Sequence, residues 1–243
     1  MLSIITPTLN SALYIERCIC SVLKLKCDYE HIIVDGGSTD GTLEILSKYP
    51  HLKLMAEKKT GLGMYSAIHQ GFCESSGDLM CYLNSDDEMI ADGFMDAINY
   101  IEVQCADMIY GHGYFRYNED PSLIKSYSKP FAYFFLKRGF MPFIQPSSIY
   151  KRTLYFDVGG FRIEKFKICG DIDFFQRVAL AKKYRCARLD GFMSIFHVRD
   201  DSLGGLNPLL DIIEQGRLLG LKPNFITKVA FKIFGTQIFS YLA

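Results

Sequence analysis

The chain has 243 residues, 49% of them hydrophobic and 22% charged, which suits one packed globular domain or one domain with a small appendage. Lysine plus arginine equals aspartate plus glutamate at 27 each, so the overall charge gives no basic footprint and no nucleic-acid partner is expected.

In chain order, the N-terminus opens directly on a strand-like run, residues 2–6, with no basic segment or cleavage site before it; the cytoplasm is the expected location. Pro7 is expected to end this strand, and Asn10 or Ser11 can cap a helix running to about residue 25. Residues 31–35 form a second strand, apolar after His31, as in a strand buried on both faces. Gly36-Gly37 breaks it, and Ser38 or Thr39 starts a helix through residue 49. Strands at 52–56 and 79–83 enclose a helix at 64–73; Asp92 caps a helix to about residue 104, and 107–110 returns to strand. Repeated βα units of this kind give an α/β fold, a Rossmann-like, mainly parallel sheet flanked by helices. Ligands of such sheets bind beyond the carboxyl ends of the strands, where this sequence places aspartates.

The second half is less regular. Residues 114–117 and 147–150 read as strands, 130–137 as an aromatic helix, and 171–184 as a helix with Ile172, Phe175, Val178 and Ala179 as its apolar stripe. Closing strands follow at 185–189 and 192–197, and Asn207-Pro208 starts a helix to about residue 219. The expected organisation is one domain over 1–205, with halves 1–110 and 111–205, and a helical extension over 206–243. The eight cysteines are scattered without any C-x-x-C pair, the pattern of reduced, mostly buried thiols.

Two stretches carry chemistry. Asn84-Ser85-Asp86-Asp87-Glu88 follows a strand directly, and adjacent carboxylates there call for a cation between them. A hard divalent ion (Mn2+ or Mg2+) with a phosphate partner meets that need; a solvated acidic turn capping the next helix is the alternative. Val34-Asp35-Gly36-Gly37-Ser38-Thr39-Asp40-Gly41-Thr42 delivers Asp35 to the sheet edge, where an acceptor-only carboxylate suits a uracil-like N–H or a ribose hydroxyl. Asp40 suits the first turn of the following helix. The stretch has neither G-x-G-x-x-G nor G-K-[ST], which counts against dinucleotide oxidoreductases and P-loop enzymes.

Taken in order, Thr6-Pro7-Thr8-Leu9-Asn10, the segment from Val34 to Thr42, Leu83-Asn84-Ser85-Asp86-Asp87, and Gly159-Gly160-Phe161 followed by Gly170-Asp171-Ile172-Asp173 resemble the family 2 inverting glycosyltransferases of the GT-A fold. The resemblance covers roughly residues 1–200. It implies a nucleotide-sugar-binding half at 1–110 and an acceptor-side half at 111–205. The nucleotide pocket would be lined by Thr6, Pro7, Thr8, Asn10, Asp35, Gly37, Ser38, Glu57 and Asp86. Asp87, with Asp86, would hold the divalent cation, and Asp171 would be the catalytic base, with Asp173 its rival. His197 stands as a further metal or diphosphate ligand, or as a structural histidine. The implied activity is sugar transfer from a nucleotide-sugar donor, UDP-linked, to a glycan or lipid-linked acceptor in cell-surface polysaccharide synthesis.

The sequence departs from this pattern where Glu57 is followed by Lys58-Lys59, where Tyr65 is followed by Ser66-Ala67, and at Gln145-Pro146. A catalytically altered nucleotide-sugar or glycan-binding module is therefore the second reading. A third, nucleotidyl transfer to sugar phosphates, needs an early glycine-rich loop that residues 6–11 lack. Arg199-Asp200-Asp201-Ser202-Leu203-Gly204-Gly205 has the composition of a mobile lid or of a plain surface loop. Residues 222–243 have lysines at 222, 228 and 232, no acidic residue, and apolar residues at helical spacing. They fit an amphipathic helix lying on the inner face of the plasma membrane, or a helix packed on the domain or a partner copy.

Overall fold

The computed structural model describes residues 1–58, 62–202 and 206–221. Its strands are β1 (Leu2–Thr8), β2 (Tyr29–Asp35), β3 (Lys53–Ala56), β4 (Leu79–Tyr82), β5 (Glu88–Met89), β6 (Met108–Tyr117), β7 (Ile124–Ser126), β8 (Ser148–Lys151) and β9 (Cys186–Val198). The helices are α1 (Ile15–Val22), α2 (Thr42–Leu46), α3 (Met64–Glu74), α4 (Ala91–Gln104), α5 (Ala132–Leu136), α6 (Arg152–Asp157), α7 (Gly170–Ala181) and α8 (Pro208–Leu218). All strands join one sheet in the order β3-β2-β1-β4-β8-β6-β9-β5, with β7 paired to β6. The first four run parallel. Strand β8 is antiparallel to both neighbours, and β6 and β9 run parallel to each other. The fold is thus the expected α/β arrangement, a mainly parallel sheet between helices.

Alternation along the strands explains both faces. Ile32 and Val34 of β2 pack with Ile68 and Phe72 of α3, whereas Ile33 between them packs with Ile15 and Ile19 of α1. Likewise Ile5 joins the first cluster, and Leu2 and Ile4 join Cys18 and Phe94 on the opposite side. Ile4, Ile5, Ile32, Ile33 and Val34 are all fully buried, and each such side chain contributes about 1.5–3 kcal/mol. That two-sided burial is why β1 and β2 are nearly continuous apolar runs.

Several boundaries differ from the expectation. Strand β1 continues through Pro7 to Thr8, because pairing with β4 has ended at Ile5 and no ladder bond is lost at a residue without N–H. Asp92 lies inside the first turn of α4, which Ile90 precedes. The pairs of strands expected at 107–110 with 114–117, and at 185–189 with 192–197, are single strands, β6 and β9. Strand β6 therefore runs across position 110, where the two halves were expected to meet. Strand β5 and helix α6 had no counterpart in the expectation. Of the extension at 206–243, α8 is a helix that packs back on the domain; the expected amphipathic segment 222–243 lies outside the described residues. Among the described residues no helix is long and apolar enough to cross a membrane.

Candidate active site

The carboxyl ends of β1, β2 and β4 bring three loops together. Strand β2 delivers Asp35, 6% exposed, whose Oδ2 accepts from the main-chain N–H groups of Gly37 (2.9 Å) and Ser38 (3.0 Å). Ser38 Oγ donates to Oδ1 at 2.5 Å. Gly37 has φ +99°, a conformation that favours glycine and lets the loop curl around the carboxylate. The loop after β1 is stitched to this turn: Asn10 N–H donates to Ser38 Oγ at 2.9 Å, and Thr39 N–H to Asn10 Oδ1 at 2.9 Å. Asp40 accepts from Thr42 N–H at 3.1 Å and from Ala12 N–H at 3.0 Å, serving the start of α2 as expected. Glu57 follows β3, its N–H on Asp35 O at 2.8 Å, and among the described residues its buried Oε1 has no hydrogen-bond partner. Burial pushes the Glu57 carboxyl above its ordinary value.

Two residues of the expected pocket lie in a strand and not in a turn. Thr6 is fully buried, its hydroxyl 2.9 Å from His31 Nε2, and Pro7 is buried within β1. The expectation that Thr6 and Pro7 line a turn is therefore corrected: they are strand residues. Thr8, the last residue of β1, keeps a buried hydroxyl with no hydrogen-bond partner among the described residues. Lys58 turns to Glu74 of α3, with Nζ and carboxylate 2.6 Å apart.

Ser85 joins the acidic turn to this assembly, its Oγ 2.8 Å from Ser11 Oγ. Asp87 is 1% exposed; its Oδ1 accepts from His197 N–H at 2.9 Å, and among the described residues its buried Oδ2 has no hydrogen-bond partner. Burial first, and the neighbouring Asp86 second, push the Asp87 carboxyl well above the carboxylate range. Asp86 is raised by burial as well, opposed by Arg199, whose Nη2 lies 3.4 Å from Asp86 Oδ2. Arg199 in turn lies over the Tyr14 ring, 3.9 Å from its centroid. Among the described residues no cluster of three or more histidine, cysteine or acidic side chains is arranged as a metal cage. The two aspartates nevertheless fit a hard cation that draws its other ligands from phosphate and water, since Asp87 Oδ2 is buried without a hydrogen-bond partner among the described residues.

His197 has a different place from that expected of a ligand. Its Nδ1 accepts from Arg17 Nη2 at 3.0 Å, so the ring proton sits on Nε2 and is donated to Glu88 Oε1 at 3.0 Å. Both ring nitrogens are thus occupied, and the residue reaches the aspartates through its main-chain N–H. Although burial pushes Glu88 up, the bond from His197 and the charges of Arg116 and Arg17 hold it below its ordinary value.

Asp171 occupies the first turn of α7. Its Oδ1 accepts from its neighbour Ile172 N–H at 2.8 Å and from Tyr65 Oη at 3.1 Å; among the described residues Oδ2 has no hydrogen bond. The crowded apolar surroundings push this carboxyl up to about 6, while it remains partly accessible. Asp173 is committed elsewhere: it is 3% exposed and paired with Arg177 at 2.9 Å and Arg162 at 3.5 Å. Gly170 lets the ring of Tyr65 close on α7, since a Cβ there would stand 2.7 Å from it.

The loop before α7 is held by a residue that sequence reasoning missed. Glu214 of α8, 1% exposed, accepts main-chain N–H bonds from Lys167 (2.8 Å), Ile168 (2.9 Å) and Cys169 (2.8 Å). No local signal marks Glu214, because its partners lie more than forty residues away.

The profile of Glycosyl transferase family 2 matches residues 3–172. A "PGL/p-HBAD biosynthesis glycosyltransferase" of Mycobacterium bovis (strain BCG / Pasteur 1173P2) is 37% identical over 117 residues, 46% of this chain and 46% of that protein. The chain spans about half the length of the curated relatives it matches. Among solved structures, Staphylococcus aureus TarS 1-349 in complex with UDP-GlcNAc superposes with a TM-score of 0.66 at 20% identity, covering 90% of this chain and 70% of that one. A mannosyltransferase from Pyrobaculum calidifontis in complex with GDP-Man and Mn2+ gives 0.66 at 16% identity, covering 96% and 70%. These two likenesses concern the fold. With the family profile spanning well over half of its length, the chain belongs to glycosyl transferase family 2.

Proposed function

We propose that the chain transfers a sugar from a nucleotide-diphosphate donor, UDP-linked, to a hydroxyl of a glycan or lipid-linked acceptor, with inversion, in cell-surface polysaccharide synthesis. The observation that carries this reading is Asp171: a partly accessible carboxyl, pushed up to about 6 on the acceptor side, with one oxygen free of hydrogen bonds among the described residues. Such a group is ionised near neutrality yet basic enough to take a proton.

In this reading Asp35, Thr8, Asn10, Gly37, Ser38 and Glu57 bind the nucleoside, Asp35 accepting a base N–H or ribose hydroxyl. Asp86 and Asp87 would hold the divalent cation that the relative's GDP-Man and Mn2+ complex brings to mind. When bound, that cation offsets charge on the leaving diphosphate. Asp171 removes the acceptor hydroxyl proton as the oxygen attacks the anomeric carbon from the face opposite the diphosphate. The new C–O bond forms as the bond to the diphosphate breaks, and the proton stays on Asp171. A peripheral location on the cytoplasmic face of a membrane belongs to the same reading.

The test is thermal shift with UDP-, GDP-, CMP- and dTDP-sugars, each with Mn2+ and with chelator. A metal-dependent rise for one nucleotide, lost in Asp87→Ala, is the expected result. Binding of a nucleotide sugar without any transfer or hydrolysis would favour the binding-module reading instead.

A further inference from the structure

Charge is segregated along this chain. From Pro121 to Phe156 there is no acidic residue, against Lys125, Lys129, Lys137, Arg138, Lys151 and Arg152. After Glu214 there is again none, against Arg217, Lys222, Lys228 and Lys232. The whole chain balances at 27 and 27, so the remainder carries 17 basic residues against all 27 acidic ones.

The fold brings residues 137–139 of the first stretch against the helix that opens the second, whereas Lys151 is paired with Asp107 at 3.0 Å and Arg152 donates to Ser75 Oγ at 2.7 Å. The turn after α5 lies against the end of α8, where a Cβ on Gly139 would be 3.4 Å from Leu218. Gln176 of α7 seals the contact, its Nε2 donating to the carbonyls of Lys137 and Leu218 at 3.3 Å each. In the same segment Phe131, Phe134 and Phe140 are 80%, 53% and 53% exposed, while Ala132, Leu136 and Phe143 fill the core. The guanidinium of Arg138 lies over the Phe134 ring at 3.9 Å.

Exposed rings interleaved with uncompensated cations match a surface that is apolar within and anionic at its rim. We propose that residues 129–140, with the end of α8 beside them, seat the protein on an anionic lipid surface. The rings enter the acyl boundary and the basic side chains meet headgroup phosphates. The chain leaves α8 at this face and continues with three further lysines. Gln176 is five residues beyond Asp171 on α7, about 7–8 Å along the axis. If the transferase reading holds, on which this last step rests, a lipid-linked acceptor reaches Asp171 from the surface that anchors its tail.

The full chain is tested by co-sedimentation with sucrose-loaded vesicles, without donor, comparing phosphatidylcholine alone with equimolar phosphatidylcholine and phosphatidylglycerol. The expected result is pelleting with the anionic vesicles only, weakened at least about tenfold in the Phe131→Ser/Phe134→Ser/Phe140→Ser variant and by salt. Arg138→Glu, a single exposed change, is expected to weaken it as well, and keeps the test valid where the triple variant does not fold. Unchanged pelleting of a folded variant overturns the proposal, as does wild-type protein that ignores anionic vesicles. Self-association of the wild type in sedimentation velocity, lost in the variant, would assign the rings to a second copy and also overturn it. Because no donor is present, these outcomes leave the nucleotide-sugar reading to its own thermal-shift test.

Discussion

The hydroxyl of Tyr65 on α3 lies 3.1 Å from Asp171 Oδ1 and 2.8 Å from the carbonyl of Ile168, so one proton is shared between a carboxylate and the main chain beside it. Part of that bond stabilises the ionised Asp171 against the burial that pushes it up to about 6. Activity is expected to rise with pH through this value, as the base deprotonates. Tyr65→Phe should move the acid limb of the kcat/KM profile upward, by about half a unit to one unit, with little change in donor KM. An unmoved limb would detach Tyr65 from the base.

Asp171→Asn is expected to lower kcat by a factor of about 10²–10⁴ while keeping the donor-induced thermal shift. It should also stabilise the fold at neutral pH. An unfolded aspartate titrates near its ordinary 3.8 and the folded one near about 6, so between these values the folded state holds the extra proton. Wild-type stability therefore falls as pH rises through that window, by on the order of 3 kcal/mol, and the asparagine variant escapes the loss. Thermal melts of both proteins at pH 4 and pH 8 measure the widening gap. Parallel melts at the two values would contradict the buried-base assignment.

Arg199 supplies Asp86 with a positive charge at 3.4 Å, close to where a cation would neutralise the aspartate pair. Arg199→Met removes this competitor. The expected outcome is several-fold tighter Mn2+ binding in a titration followed by electron paramagnetic resonance, together with a lower Tm in chelator. Weaker Mn2+ binding would mean that the guanidinium supports the cation instead of competing with it.

Glu214 holds three main-chain N–H groups just before α7, a charge-assisted clamp that only a carboxylate in this position can make. Glu214→Ala leaves all three N–H groups buried without it and is expected to cost about 2–4 kcal/mol, read from denaturant melts. In the milder Glu214→Gln, the protein should fold, bind donor with unchanged KM, and turn over more slowly, because the clamp orients the Asp171 segment and not the nucleotide loops. A proportional rise in donor KM would argue for a general loosening instead.

Most of the parallel half was legible in the sequence because its strands are buried on both faces and end in turn residues, as at Val34-Asp35-Gly36-Gly37. The splitting of β6 and β9 had a specific cause. Gly111 and Gly113 interrupt the apolar pattern, but they sit inside a strand: a Cβ at Gly111 would stand 2.8 Å from Gly191 O, and one at Gly113 would stand 2.1 Å from Ile144. Glycine there marks close approach, not a turn. The aspartates of the site could be proposed from their place after strands. Their contacts could not: His197 was named as a possible ligand but bonds Asp87 through its main-chain N–H, and Arg199 and Glu214 reach the aspartates or their loops only through the tertiary fold, which no sequence period links. Asp171 was distinguishable from Asp173 only once the ion pairs of Asp173 with Arg177 and Arg162 were in view.

Asp35 enters this site already fastened by two N–H groups and a hydroxyl of its own loop. In the proposed reading, a carboxylate fastened by three donors of its own loop cannot swing aside and would act as a filter set before any ligand arrives. A base that presents a ring N–H, as uracil and guanine do, can complete its acceptor valence without reordering the loop. Cytosine, with a lone pair at the corresponding ring nitrogen, would bring two electron-rich atoms face to face. If Asp35 contacts the base as proposed, the rigidity of its turn would convert a single fixed acceptor into a rule about which nucleotides are turned away.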